Sequence, residues 1–272
     1  MRPFVLNQTA DALAVQGLTQ EDDLTLVKEA SAFYLKAAES VLRETPGHLK
    51  LAEAVASGFT QYAYAFVSFE AEKIDSQQPE NAARMRERAA RLYARAHQHA
   101  LLALEKNRPG LTKLLAHSST AKELKLTSSE VPLAYWAAAS LGGKISMSTD
   151  DPDAVADLPL AMRLAELAWQ ADPGFGRGAL VSLMGTLESA RVGGSLEKAE
   201  RFFDQAIDMG RGQEAGPWVA KAEGLALPNQ DRQQFEQWLQ QALKISKQHR
   251  SLQNEVMRER AQWLLQSADD LF

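Results

Sequence analysis

Residues 165–173 read AELAWQADP, a helical run of small and apolar residues that stops at Pro173 before another helical pattern begins. Four other stretches stop in the same way, at a proline, glycine or serine: 38–46 (AESVLRETP), 99–109 (HALLALEKNRP), 202–210 (FFDQAIDMG) and 238–246 (WLQQALKIS). Successive stops are 63, 64, 37 and 36 residues apart. The first two spacings are close to twice a helix-pair period of about 34 residues, and the last two are close to one period.

This spacing predicts an all-α fold, a divergent helix-hairpin solenoid of tetratricopeptide type with about eleven helices. Ala199, Phe203 and Ala206 reproduce the Ala-x3-Phe spacing of a tetratricopeptide second helix. We interpret residues 1–272 as one domain, with residues 1–18 as a loosely ordered N-terminal segment. Because one helical hairpin cannot bury its apolar stripe alone, hairpins stack and leave a concave surface suited to binding.

The composition limits the classes of protein to consider. The chain has 272 residues, 45% of them hydrophobic, enough for a sizeable helical core. Its net charge of −5 is dispersed along the helices, which argues against nucleic-acid binding because phosphates attract a basic stripe. The chain has no cysteine, so disulfides, thiolate metal sites and cysteine nucleophiles are excluded. No apolar run approaches the roughly 18 residues of a membrane span.

Prolines, glycines and capping residues predict where the helices begin and end. We expect helices from the cap at 19–22 to Glu44, over 51–70, and over 84–106, where the helix has a basic face. Val131-Pro132 should start a helix that stops at Gly142-Gly143. Further helices are predicted over 111–116, 120–124, 157–171, 180–190, 216–227, 231–245 and 251–268.

The polar residues do not form a recognisable catalytic pattern. His97 and His99 are two positions apart, which places them about 200° apart around a helix and prevents them from sharing a metal ion. Acidic pairs such as Asp150-Asp151 sit at helix starts, where capping is their expected role. No serine lies in a Gly-x-Ser-x-Gly elbow and no glycine-rich phosphate loop is present. We therefore predict no catalytic residues, no metal site and no cofactor.

Five residues are the candidates for binding a ligand or partner. Gln61 and Tyr62 lie in the most hydrophobic predicted helix, and Tyr135-Trp136 opens another. Adjacent residues diverge by about 100° on a helix, so one aromatic ring can pack in the core while its neighbour faces a groove. Core packing is the main alternative for all four. Asn254 is interpreted either as a buried amide that fixes neighbouring helices or as a surface residue.

Several local motifs follow one another along the chain, and their order and spacing are more specific than any one of them alone. These motifs are Gly58-Phe59-Thr60-Gln61-Tyr62-Ala63, Phe66-Val67, Ala71-Glu72, Arg88-Ala89, Leu92-Tyr93, Ala96, Val131-Pro132, Tyr135-Trp136-Ala137-Ala138, Asp157-Leu158-Pro159, Asp172-Pro173, Gly193-Gly194, Ala199, Phe203, Gln230-Asp231-Arg232, Phe235, Asn254 and Arg260-Ala261-Gln262-Trp263-Leu264-Leu265. Together they resemble the T component of TRAP (tripartite ATP-independent periplasmic) transporters, and the resemblance covers nearly the whole chain.

The resemblance implies a non-catalytic, tetratricopeptide-like periplasmic protein that works beside the solute-binding protein of such a transporter. It also implies binding of a hydrophobic small ligand through the solenoid, and it admits a homo-oligomer such as a trimer. Family precursors begin with a signal and a lipidated cysteine, which this sequence does not contain. We therefore expect a processed sequence whose membrane attachment is only through a lipid anchor absent from this chain.

Two other functions compete with this one. The first is a cytoplasmic tetratricopeptide adaptor that presents a concave groove to a peptide of another protein, which an upstream signal and cysteine in the gene would exclude. The second is an enzyme with a polar pocket in a helical fold, for which no residue cluster of the sequence gives support.

Overall fold

The protein is described by a computed structural model that covers residues 2–15, 21–116 and 124–272. Those residues form helices joined by turns, without a strand among them, so the predicted all-α class is confirmed. Most of the helix predicted over 120–124 falls outside the described residues. Contacts group the chain into two compact units, one built on Thr25–Asp172 and one on Pro173–Phe272.

The described residues of the N-terminal unit form nine α-helices that pack around α3, α5 and α7. Helix α5 packs against α3 and α7, α7 packs against α9, and α1 packs against α3. The helices are α1 (Arg2–Ala14), α2 (Leu24–Glu44), α3 (Leu49–Ala63), α4 (Phe69–Ile74), α5 (Pro79–Asn107), α6 (Leu111–Ala116), α7 (Val131–Ser146), α8 (Pro152–Val155) and α9 (Leu158–Ala171).

The C-terminal unit packs its helices in sequence order around two buried phenylalanines, Phe203 and Phe235. Helix α10 packs against α11, α12 contacts both α11 and α13, and α13 packs against α14. Its helices are α10 (Ala179–Ala190), α11 (Leu196–Met209), α12 (Gly216–Lys221), α13 (Arg232–Gln248), α14 (Leu252–Gln266) and α15 (Ala268–Leu271). A solenoid of tetratricopeptide type that spans both units stays a prediction.

Capping side chains and prolines set most of the helix starts. The side chains of Ser195, Asp231 and Ser251 accept hydrogen bonds from backbone N–H groups in the first turns of α11, α13 and α14. Pro79 and Pro132 occupy the first turns of α5 and α7, where the absent N–H group would have had no helical partner. The starts predicted at Val131-Pro132, Asp231 and Ser251 therefore agree with the structure to within about one residue, whereas α5 begins at Pro79 and not at 84.

Gly142-Gly143 was predicted to end α7, and that prediction was wrong. The helix continues through both glycines to Ser146. A Cβ atom on Gly143 would lie 2.5 Å from Cε1 of Tyr93, a ring that is buried. The glycine therefore serves to let α5 and α7 approach each other, and that packing outweighs the usual tendency of glycine to end a helix.

The structure also has more helix than the sequence predicted. Thirteen helices of six or more residues lie in the described part of the chain, against about eleven expected. Helix α1 lies in the segment that was expected to be loosely ordered, and it packs against α3. Its C-terminal end is held by the Tyr34 hydroxyl, which donates a hydrogen bond to the carbonyl of Leu13.

Two π-helical turns interrupt the helical rods. Tyr64–Ser68 joins α3 to α4, and Ala222–Ala226 follows α12. A π-turn inserts one extra residue without ending the helix, so the side chains beyond it are rotated relative to a regular α-helix. Between α3 and α4, this rotation places Phe69 and Ala71 of α4 in the core. Such turns are frequently found at functional sites.

Candidate functional site

Gln61 and Tyr62 lie at the end of α3, immediately before the first π-turn. The Tyr62 ring makes an edge-to-face contact with Phe66, with 5.5 Å between the ring centroids. The guanidinium of Arg88, from α5, lies 6.0 Å from the centroid of the Tyr62 ring. Tyr62 is therefore a half-buried aromatic side chain that an exposed arginine borders.

Around Tyr62 the unit presents a group of half-buried apolar side chains. They pack on a small core formed by Ala63, Val67, Ala89 and Tyr93. We call this group the Tyr62 cluster; its members are Tyr62, Tyr64, Phe66, Met85, Leu92 and Met147. Aromatic rings and methionines that are partly exposed suit an apolar ligand or partner, because methionine adapts its shape and the rings offer large contact areas.

Tyr135 and Trp136 form a second aromatic pair, near the start of α7. Their ring centroids are 4.8 Å apart, with an interplanar angle of 70°. Burial raises the pKa of Tyr135 to about 12, so its hydroxyl stays protonated at neutral pH. Helix α7 packs against α3, so the predicted candidates Gln61 and Tyr62 and the pair Tyr135-Trp136 belong to one packed group of helices.

Asn254 is buried, and its amide connects three segments of the C-terminal unit. Its Oδ1 atom accepts a hydrogen bond of 2.9 Å from the backbone N–H of Ala215. Its Nδ2 atom donates to the carbonyl oxygens of Gln213 and His249, at 2.8 and 2.6 Å. Both amide hydrogens are therefore used within the chain, which favours the interpretation of Asn254 as a residue that fixes helix neighbours.

The structure places a buried carboxylate, Glu39, where the sequence analysis identified no special residue. Arg95 donates both hydrogen bonds of its guanidinium fork to this carboxylate, and His99 contacts it at 2.9 Å. Lys36 and Arg43 reach it from α2 at 2.7 and 3.4 Å. Burial by itself would raise the pKa of Glu39, but the hydrogen bonds from Arg95, Lys36 and His99 lower it to about 2.

A signal for Glu39 was present in the sequence. The residue falls between Leu35, Ala38 and Leu42 on the buried stripe of α2, and an acidic side chain in such a stripe needs a partner. Phe59 of α3 completes the contact, because its ring stacks on His99 at 6.3 Å and lies 5.0 Å from the Arg95 guanidinium. This cluster joins α2, α3 and α5, and its role is structural.

Buried charges also hold the C-terminal unit together. Burial would raise the pKa of Glu188, but hydrogen bonds from the backbone N–H of Ser195 and from Arg191 and Lys198 lower it to about 2. The ammonium of Lys221, almost fully buried, lies 2.6 Å from Asp204 and 4.7 Å from the centroid of Trp238. Each buried charge therefore has an oppositely charged or hydrogen-bonding partner, which offsets part of the cost of burying it.

An open cleft of about 560 Å³ lies on the C-terminal unit. Arg177 and Arg211 line it, each with a backbone φ of 51°, a conformation that non-glycine residues adopt rarely. Arg177 forms an ion pair with Glu214 at 2.6 Å, and Asp208 also lines the cleft. The charges around the cleft balance, so its electrostatics favour neither an anion nor a cation.

The two histidines of α5 point to different partners. His97 Nδ1 lies 2.8 Å from the carbonyl oxygen of Ala137, whereas His99 contacts Glu39.

Among the described residues, no group of three or more histidine, aspartate or glutamate side chains is placed to hold a metal ion. In the same part of the chain, no helix combines the length and the apolarity needed to cross a bilayer.

Comparison with known proteins places the chain among transporter components. An uncharacterized protein of Treponema pallidum (strain Nichols) is 26% identical over 273 residues, which cover 97% of this chain and 84% of the relative. The family model described as the TRAP transporter T-component matches residues 20–272. That match runs from before α2 to the end of α15 and so includes both units. The chain belongs to the TRAP transporter T-component family.

Proposed function

We propose that this protein is a periplasmic binding component that associates with the solute-binding protein of a TRAP transporter and performs no catalysis itself. The observation that carries the proposal is the family match over residues 20–272. The proposed localisation is the periplasm, with membrane attachment through a lipid anchor on the precursor. A homo-oligomer, for example a trimer, is compatible with this role and is proposed with it.

The buried ionisable groups support a binding role over a catalytic one. A general acid or base works best with a pKa near neutral pH. The pKa values of Glu39 and Glu188 are instead held at about 2 by their cationic and hydrogen-bonding neighbours. Both carboxylates stay ionised at neutral pH and are occupied by contacts within the chain, so they are poor candidates for proton transfer.

The Tyr62 cluster is the best-supported contact site of the N-terminal unit. It combines half-buried aromatic rings with an exposed arginine, Arg88, and this combination is typical of residues that dominate binding energy at protein interfaces. The same cluster, together with Tyr135 and Trp136, is where we propose contact with a hydrophobic small ligand. The two methionines Met85 and Met147 support that second role, because their flexible side chains adapt to apolar guests.

The test is to purify the protein with the solute-binding protein of a TRAP transporter from the same organism and to measure association by calorimetry, with and without solute. We expect saturable binding that weakens in Tyr62→Ala and is unchanged in the control Gln253→Ala, an exposed residue of α14. Absence of binding at about 100 µM, with both proteins folded, would contradict the proposal, since such a Kd corresponds to only about 5 kcal/mol.

The proposed location and ligand have tests of their own. After expression of the full gene, fractionation of the cells should recover the protein with the membranes, on their periplasmic side. Recovery from the cytoplasm would favour the adaptor alternative. Native mass spectrometry of the purified protein should detect a bound apolar molecule. That signal should decrease in Trp136→Ala, and an unchanged signal would remove Trp136 from the ligand site.

A further inference from the structure

Four arginines form a stripe along α5. Arg84, Arg88, Arg91 and Arg95 follow one another at spacings of four, three and four residues. At 100° per residue they fall within about 60° around the helix, and along it they extend over about 16 Å. Arg84, Arg88 and Arg91 are exposed, and Arg95 is about one-third exposed.

Placing these four positive charges together on α5 adds little to the stability of the fold. Like charges at i, i+3 and i, i+4 destabilise a helix by a few tenths of a kcal/mol per pair. Arg91 is paired with Glu87 at 2.5 Å, but Arg84 and Arg88 make no ion pair with the described residues of the chain. The only recorded contact of the Arg88 guanidinium among those residues is with the Tyr62 ring. The unpaired end of the stripe therefore borders the Tyr62 cluster.

The positive surface continues from α5 onto α2. Lys36 and Arg43, both exposed by more than half, converge with Arg95 on the buried carboxylate of Glu39. One buried negative charge thus gathers three cations at the surface. Phe33, one turn before Lys36 on the outer side of α2, is 81% exposed. We call the surface formed by Arg84, Arg88, Arg91, Arg95, Lys36 and Arg43 the arginine face.

We propose that the arginine face docks an acidic surface of the partner protein, with Tyr62, which Arg88 contacts, and the exposed Phe33 of α2 as aromatic anchors. This inference rests on the proposed function, because it assigns a surface to the same partner. Six cations are accompanied there by three acids, Glu39, Glu80 and Glu87, so the face is locally positive on a chain whose net charge is −5. An arginine fork matches a carboxylate with two parallel hydrogen bonds, which gives specificity as well as attraction.

The acidic residues on α5 favour a protein over an anionic membrane as the occupant. Glu80 and Glu87 are exposed and lie along the edge of the arginine stripe. A uniformly anionic lipid surface would repel both carboxylates, whereas a protein surface can oppose them with basic or polar side chains. The alternation of sign along one helix face is therefore suited to a partner with a fixed pattern of charges.

The experiment compares charge reversal on this face with a matched reversal elsewhere. Arg84→Glu/Arg88→Glu changes the net charge by the same amount as Lys244→Glu/Lys247→Glu, which alters two exposed lysines of α13. Affinity for the solute-binding protein is measured by calorimetry at about 50 mM and about 300 mM salt, since screening weakens exposed charge contacts. Circular dichroism verifies the folding of each variant, and Arg84→Gln/Arg88→Gln provides a milder change if the reversal variant does not fold.

We expect the arginine variant to bind at least about tenfold more weakly than the wild type at low salt, and the lysine variant to bind normally. Equal affinity of the two variants overturns the inference and leaves the proposed function standing. A wild type that does not bind at all removes the proposed function, and the inference falls with it. Binding to phosphatidylglycerol vesicles is measured by sedimentation. If the arginine variant alone fails to sediment with the vesicles and its affinity for the partner is unchanged, the face binds lipid and the inference is also overturned.

Discussion

Glu39 of α2 and Arg95 of α5 are 56 positions apart in the chain, and the guanidinium fork of Arg95 donates to both oxygens of the Glu39 carboxylate. The Glu39 side chain is 2% exposed, whereas that of Arg95 is 34% exposed. The ion pair therefore has one end in the core and one end at the surface, where it leads into the arginine face. The same contact fixes the packing of two helices and holds cations at the surface that we propose as a docking face.

Replacing Glu39 by glutamine should destabilise the protein by about 3 kcal/mol, because Arg95 and Lys36 would lose the charge that compensates them. The matched control is Glu29→Gln, which alters an exposed acid of the same helix and should be close to neutral. Urea unfolding followed by circular dichroism measures both. Equal midpoints for the two variants would show that the buried pair contributes nothing to stability.

Acid should destabilise the protein through Glu39 and Glu188. Their pKa values in the folded protein are about 2, against an ordinary value of 4.5. The stability that they contribute is therefore fully present above about pH 4.5 and is lost as the pH falls towards 2. Between pH 6 and pH 2.5, the melting temperature of the wild type should fall more steeply than that of Glu188→Gln. Parallel plots of melting temperature against pH would show that Glu188 does not contribute to the acid sensitivity.

Gly178 and Gly212 both have positive φ angles, of 102° and 68°, but only Gly178 is crowded. A Cβ atom on Gly178 would lie 2.5 Å from the backbone oxygen of Ala206, whereas the space around Gly212 is open. Gly212→Ala should cost about 1 kcal/mol of strain, and Gly178→Ala about 2–4 kcal/mol because helices α10 and α11 must also separate. A smaller loss for Gly178→Ala than for Gly212→Ala would contradict this packing.

Asn254→Ala should reduce stability by about 2–4 kcal/mol, because three backbone groups lose their hydrogen-bond partner. The exposed neighbour Gln253 provides the control, Gln253→Ala, which should have little effect. Thermal unfolding and binding of the solute-binding protein are measured on both variants. A stable Asn254→Ala protein that has lost partner binding would instead support the role of Asn254 in the binding site.

The all-helical class and many helix boundaries could be predicted from local sequence, because prolines and capping side chains act within one turn. Pro46 follows the end of α2, and Ser251 caps α14 at the predicted position. The end of α7 could not be predicted in this way. Whether Gly143 ends a helix or admits a neighbouring ring depends on Tyr93, which is 50 positions earlier in the chain.

For the candidate site, the sequence named residues but left their roles open. Tyr62 was named because aromatic and polar residues inside an apolar helix can either pack in the core or line a groove, and the structure places it beside Arg88. The cluster around Glu39 was missed because two of its partners, Arg95 and His99, come from another helix, and no local spacing connects residue 39 with residues 95 and 99. Asn254 was identified, but only its three hydrogen bonds distinguish a structural amide from an exposed one.

The π-turn at Tyr64–Ser68 has a consequence for how this family can diverge. A π-turn is equivalent to a one-residue insertion that a helix has accommodated without unfolding. Deleting a residue there would restore a regular helix and rotate the following segment by about 100°, moving Phe69 out of the core. We therefore expect related sequences either to keep this length or to change Phe69 and its neighbours together, so that an alignment gap within α3 and α4 marks a lineage with a repacked core.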